Sequence, residues 1–181
     1  MNEVEAVKDL KDIALIERTL ERFFSERERD IWKFGINTAL RISDLLNVRF
    51  SDIADGLLIV CEQKTGKRRL IKLNDEALQV VKRRQRFNDE YLFQAKSRNV
   101  KEPKPVSRQY VAEAFRQVGE HLGMRLGTHS MRKTRGYHLL QSGIGIELIS
   151  RMLNHSSPTV TMRYIGITQE NIDQTYVELV L

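Results

Sequence analysis

Cysteine is almost missing from this chain. A single thiol, Cys61, among 181 residues excludes an internal disulfide and a thiolate-rich zinc site, and it fits a reducing compartment. It closes the apolar run Leu57–Cys61, where a buried and inert thiol is expected. No apolar run approaches the roughly 20 residues needed to span a bilayer. The amino end, Met1-Asn2-Glu3-Val4-Glu5, lacks the basic and apolar regions of a signal peptide. No membrane partner is expected, and a cytoplasmic, nucleoid-associated location follows by default. There are no internal repeats and no low-complexity tracts. Nor does any carboxylate cluster suited to two-metal phosphoryl chemistry stand out.

What the chain does have is positive charge. Thirty Lys and Arg face 24 acids, a net charge of +6, which favours a polyanionic partner, nucleic acid first. Hydrophobic residues at 41% and charged residues at 30% describe an ordinary globular balance for one domain. Helical periodicity runs through residues 4–24, and Ser25-Glu26-Arg27-Glu28 matches a capping box for a second helix to about Leu40. Ser43 caps a short third one through Leu45, Leu46 and Val48. Asp55-Gly56 marks a turn, Leu57–Cys61 and Leu70-Ile71-Lys72-Leu73 read as strands, and residues 63–69 join them as a hairpin with a basic tip. Asn74 starts a helix carrying Lys82-Arg83-Arg84, whereas residues 88–106, with Pro103 and Pro105, read as a loop. Ser107 caps a helix stopped by Gly123, and Thr128 caps another from His129 to about Gln141. Residues 146–153 form a short apolar helix, and Ser157-Pro158 is N-cap plus N1 of a helix carrying Tyr164. Thr168 caps a last helix with Ile172, Tyr176, Leu179 and Val180 on one side. The pattern is mostly helix around a small antiparallel sheet.

Several residues could carry chemistry, and each has a bland explanation when taken singly. His129 and Arg132 sit one turn apart at a helix start, where exposed N–H groups and the helix dipole favour an anion. A surface helix face would look the same. Arg41, among Ala39, Leu40, Ile42 and Leu45, either snorkels to solvent or points into a cleft. Lys64 in the hairpin tip reads by itself as a solvated turn lysine. His155 alone reads as a helix-terminus histidine, and Tyr164 alone as a half-buried packing residue.

Together they read differently. Arg41 in Ala39-Leu40-Arg41-Ile42-Ser43-Asp44-Leu45-Leu46, Lys64 in Lys64-Thr65-Gly66-Lys67, then His129, Arg132, His155 and Tyr164 occur in one order. The surrounding His138-Leu139-Leu140-Gln141-Ser142-Gly143 and Leu153-Asn154-His155-Ser156-Ser157 complete the set. This text resembles the tyrosine recombinase (phage integrase) family over nearly the whole chain. The resemblance implies an α+β, mainly α catalytic-domain fold: a helical bundle with a small antiparallel three-stranded sheet. It also implies DNA cleavage and rejoining through a 3′-phosphotyrosine, in site-specific recombination or integration, without metal or ATP.

Within that implied chemistry, Tyr164 is the nucleophile, and Arg41, Arg132 and His155 hold the phosphate. Lys64 protonates the departing 5′-oxygen, and His129 is the acid–base partner nearer the tyrosine. Lys67, Arg68, Arg69, Lys96, Arg98, Lys101 and Lys104 are candidates for contacts to the phosphate backbone of double-stranded DNA. Ala39 stands where the family often has glycine, and Lys133 where histidine is common. About forty residues precede Arg41, so the resemblance implies residues 1–181 as a single catalytic domain with the amino-terminal core-binding domain absent. Residues 168–181 are expected to form a tail helix that docks on a neighbouring protomer, supporting self-association on DNA, with folding back in cis as the alternative. A catalytically silent DNA-binding regulator on the same fold and a type IB topoisomerase-like activity remain as alternatives.

Overall fold

Helix starts in this chain are written in capping side chains, and the structure follows most of them. The computed structural model describes residues 4–96 and 102–168, with Asp173 and Val177. Helix α1 (Leu10–Phe23) begins where the Asp9 carboxylate accepts from the Lys11 N–H. That cap shortens the helix expected from residue 4. Residues 4–9 run outside it, and Val7 is tied to α6 (Ser130–Gln141) through a bond from its N–H to the Thr134 hydroxyl. Ser25 caps α2 (Glu26–Thr38) as expected, and Ala39 ends it in the left-handed region at φ 53°. Glycine meets no penalty there, which explains why alanine is the departure at this position.

Helix α3 (Ile42–Leu46) starts one residue earlier than its serine suggests. Arg41, not Ser43, is the N-cap residue, and Ser43 lies inside the helix. Asp55 and Gly56, both with positive φ, then turn the chain between β1 (Ile53–Ala54) and β2 (Leu57–Cys61). Strand β3 (Arg68–Lys72) pairs antiparallel on the other side of β2, with Ile59 opposite Leu70. The sheet order is β1-β2-β3. Among the described residues only one of its faces is covered, by the core that takes Leu58 and Val60. Cys61 therefore points outward and is exposed, contrary to the buried thiol expected from its apolar run.

Asn74, Ser107 and Ser157 cap α4 (Asp75–Gln85), α5 (Arg108–Leu122) and α8 (Pro158–Ile165) as read from sequence. Helix α7 (Ile146–Leu153) ends on Asn154 in the left-handed region. The loop before α5 lends more to the core than its irregular sequence suggests, because Leu92, Phe93 and Val106 are buried. Among the described residues, two apolar clusters form. The large one joins α1–α5, the sheet and Met131, while a small one gathers Ala39, Ile149, Leu153 and Ile165 under α6–α8. The chain turns from α2 into α3 where these clusters meet. The expected tail helix falls mainly outside the described residues, of which Asp173 and Val177 are helical and exposed. No helix among the described residues is long and apolar enough to cross a membrane.

Candidate active site

Arg132 lies at the centre, on the first turn of α6 and only 2% exposed. Its two Nη groups donate to the carbonyls of Ala39 and Leu153, the latter at 2.6 Å. These carbonyls belong to the ends of α2 and α7, where helix carbonyls lack partners of their own and the dipole is negative. One guanidinium thus joins both helix ends and is fixed by them. Burial pulls its pKa down from the ordinary value, opposed by the Tyr164 phenol beside it.

Pro158 and Ser157 set the first turn of α8, and Tyr164 is reached two turns later, near its end. The phenol oxygen is 3.2 Å from Nδ1 of His129. The His155 ring packs edge-on to the Tyr164 ring with centroids 4.8 Å apart. Burial raises the Tyr164 pKa, and Arg132 and Arg41 oppose that rise. Desolvation lowers the His129 pKa, as do Arg132, Arg108, Lys133 and Arg41. At neutral pH a neutral phenol therefore faces a neutral imidazole. With Nδ1 unprotonated, the phenol proton has an acceptor.

His155 follows the left-handed turn at Asn154, and its Nδ1 is 3.0 Å from the hydroxyl of buried Thr161. That hydroxyl fixes the ring orientation and leaves Nε2 for a ligand. Desolvation, Arg132 and Arg41 push the His155 pKa down to about 4. His129 is the N-cap residue of α6 rather than its first helical residue, one position from the expected start, and its side chain makes no capping bond. The cap expected of Thr128 is replaced by a turn in which the Ser130 hydroxyl accepts from the Gly127 N–H.

Beyond His129 the site opens into a cleft of about 480 Å³ whose walls include Arg41, Gln63, Lys64, Arg108 and His129. All six residues singled out from the sequence thus meet: Arg41, Lys64 and His129 on this cleft, and His129, Arg132, His155 and Tyr164 in one cluster behind it. The basic candidates divide. Lys67, Arg68 and Lys104 are exposed, the first two three and four residues after Lys64. Arg69 instead faces inward, bonding to Glu62 and to the Met152 carbonyl. Lys96 is paired with Asp89. Arg98 and Lys101 lie outside the described residues.

Three residues of the site escaped the sequence reading, and a fourth, Lys133, was given no role there. Arg108 shares the cleft, and Lys133 places its ammonium 5.3 Å from the Tyr164 ring centre. Asp44, buried, accepts from the Gln63 N–H at 2.9 Å and pins the start of the Lys64 hairpin. Glu62 accepts from both Arg41 and Arg69. It is the sole acid between Asp55 and Asp75, amid five Lys and Arg, and that isolation was its available signal.

A tyrosine, two arginines, two histidines and a lysine are thus gathered around one basic cleft. The chain belongs to the phage integrase family, which matches residues 8–171. Among its relatives, a probable integrase/recombinase YoeC of Bacillus subtilis is 35% identical over 94% of this chain and 95% of its own length. The tyrosine recombinase XerA of Pyrococcus furiosus is 31% identical over 82% of this chain, which spans only 53% of that protein. The fold matches a crystal structure of XerA recombinase with a TM-score of 0.74 at 16% identity, covering 98% of this chain and 65% of that one. It also matches a lambda integrase dimer bound to a COC′ core site, with a TM-score of 0.69 at 22% identity, over 92% of this chain and 61% of that one.

Proposed function

We propose that this chain is the catalytic domain of a site-specific tyrosine recombinase, cutting and rejoining duplex DNA through a covalent 3′-phosphotyrosine. The observation that carries this reading is the Tyr164 oxygen, 3.2 Å from a histidine nitrogen and against a buried arginine, at the edge of a basic cleft. Arg41 and Arg132 bind the non-bridging oxygens of the scissile phosphate, with His155 Nε2 as a further donor. His129 takes the phenol proton as the Tyr164 oxygen bonds to phosphorus. The bond from phosphorus to the 5′-oxygen breaks, and that oxygen takes a proton from Lys64. A free 5′-hydroxyl from a second duplex reverses the step and restores the tyrosine. The energy of the broken bond is kept in the covalent link, so no nucleotide is consumed.

Lys67, Arg68 and Lys104 contact the DNA backbone, and residues 168–181 dock on a neighbouring protomer, with work confined to wherever the DNA lies. Binding to DNA and association between copies, though not these particular contacts, are supported by the likeness to lambda integrase, whose structure is of a dimer on a core site. The test is covalent capture on nicked duplexes with randomised cores, followed by sequencing of the trapped DNA. Wild type should form an adduct and Tyr164→Phe none. Lys64→Ala should lose roughly 10²–10⁴-fold in rate. A 5′-bridging phosphorothiolate, whose sulfur leaves without a proton, should restore that loss. An adduct in Tyr164→Phe would sink the nucleophile assignment.

A further inference from the structure

Glu62 is a carboxylate with no part in the chemistry above, yet its side chain is 1% exposed in the middle of the site. Four donors converge on it. Oε1 accepts from Arg69 at 2.8 Å, and Oε2 accepts from Arg41 at 2.8 Å, Thr65 at 2.9 Å and Asn154 at 2.6 Å. These donors come from separate parts of the chain. Arg41 opens α3, Thr65 lies in the hairpin tip beside Lys64, and Asn154 is the left-handed residue that ends α7 and precedes His155. Arg69 extends the network by donating to the Met152 carbonyl at 2.8 Å.

Burial alone would raise the Glu62 carboxyl, but the bonds from Arg69, Asn154, Thr65 and Arg41 prevail and hold it at about 2. It is therefore an anion at every working pH. A buried carboxylate satisfied this fully is expensive to disturb, because removing it leaves guanidinium groups facing one another without a counter-charge. Such a group does more than fill space. It fixes one end of the phosphate-binding arginine, the loop of the lysine and the turn before the histidine in a single frame.

We propose that Glu62 is a positioning residue that holds Arg41, the Lys64 hairpin and the His155 turn in register before DNA arrives. The proposal rests on the recombinase reading of the same site. Without the Glu62 carboxylate, the hairpin would keep only the Asp44 bond to the Gln63 N–H and the long 3.4 Å bond from Asn154 to Thr65 among these side-chain ties, and Arg41 would lose its carboxylate partner. Displacing reacting groups by about 1 Å slows a reaction on the order of 100-fold.

The test uses Glu62→Gln, which keeps the size but puts an amide NH₂ against the converging donors. A second variant, Asn154→Gly, keeps the left-handed backbone and removes one donor. Amide exchange at Thr65 and Gly66, both bonded to the Glu62 carbonyl, reads hairpin order in the absence of DNA. It should quicken on the order of tenfold in Glu62→Gln, as one charge-assisted bond would give, and less in Asn154→Gly. On a nicked duplex captured by the wild type, and at a temperature well below the lowered melting point of Glu62→Gln, cleavage by that variant should fall about 100-fold at unchanged duplex affinity. The 5′-bridging phosphorothiolate should recover the part of that loss that belongs to Lys64 and leave the part that belongs to Arg41. Unchanged exchange, wild-type cleavage, a loss equal on both substrates, or a loss explained by lower melting would each overturn the proposal. Because exchange needs no turnover, a wild type that forms no adduct would count against the recombinase reading separately from the pinning by Glu62.

Discussion

His155 and Glu62 keep their charge states against the acid side of the pH scale, and both make the fold acid-sensitive. The ordinary value for His155 is 6.5, and its surroundings hold it at about 4. Between those values the unfolded chain binds a proton that the folded one refuses, so stability falls as pH drops from 6.5 to 4. Glu62 is held at about 2 against an ordinary 4.5. Its contribution is complete above 4.5 and is lost as pH falls toward 2. The two windows overlap between about pH 4.5 and 4 and have the same sign. Melting followed by circular dichroism should therefore decline without a plateau from about pH 6.5 downward. Glu62→Gln should flatten the lower limb and spare the upper. At this scale the six candidates were legible only as a set, because their order along the chain and the text around them resemble one family, whereas each taken singly had a bland reading. Glu62, Asp44 and Arg108 were not, since their meaning depends on which strand end or helix start the fold brings beside Arg41.

Helices with a capping side chain and a clear apolar period could be read to within a residue or two. The misses have local causes. Asp9 competes with the period of residues 4–9 and wins, since its carboxylate satisfies an orphan N–H. Strand β1 is two residues long, too short to show alternation, and is recruited by the Asp55–Gly56 turn. Helix α8 carries Tyr164, and its approach to α6 depends on Gly136. A methyl group there would stand 2.6 Å from Cγ2 of Ile165 and 3.4 Å from Cδ1 of Leu153. The first distance requires a shift, and the small apolar cluster beneath α8 has few other groups to yield. Gly136→Ala should cost about 1–3 kcal/mol in urea unfolding. It should also slow adduct formation more than it weakens duplex binding, because Tyr164 moves while the basic hairpin stays. Equal loss in both would mean that α8 accommodates the methyl in place.

On the scale of the molecule, the site lies along the seam between a large core and a small one. Arg132 crosses it by bonding to the ends of α2 and α7. This seam could not be read from the sequence, because Ala39, at the end of a helix of the large core, packs with the small one. Helix α8 packs on α7 and α6, and residues 169–181 follow it in the sequence. Removing residues 170–181 should reduce assembly of protomers on DNA, measured by mobility shift, while a single protomer still forms its adduct. Assembly equal to that of the longer chain would exclude the tail as a contact between copies.

Cys61 offers a practical handle. Its thiol is the single one in the sequence, is exposed on the outer face of the sheet, and stands one residue before Glu62 and three before Lys64. A maleimide fluorophore thus has one attachment point, at the root of the hairpin, with no cysteine to remove first. Its emission would follow, in real time and in the unmutated protein, how the lysine loop settles as a duplex docks.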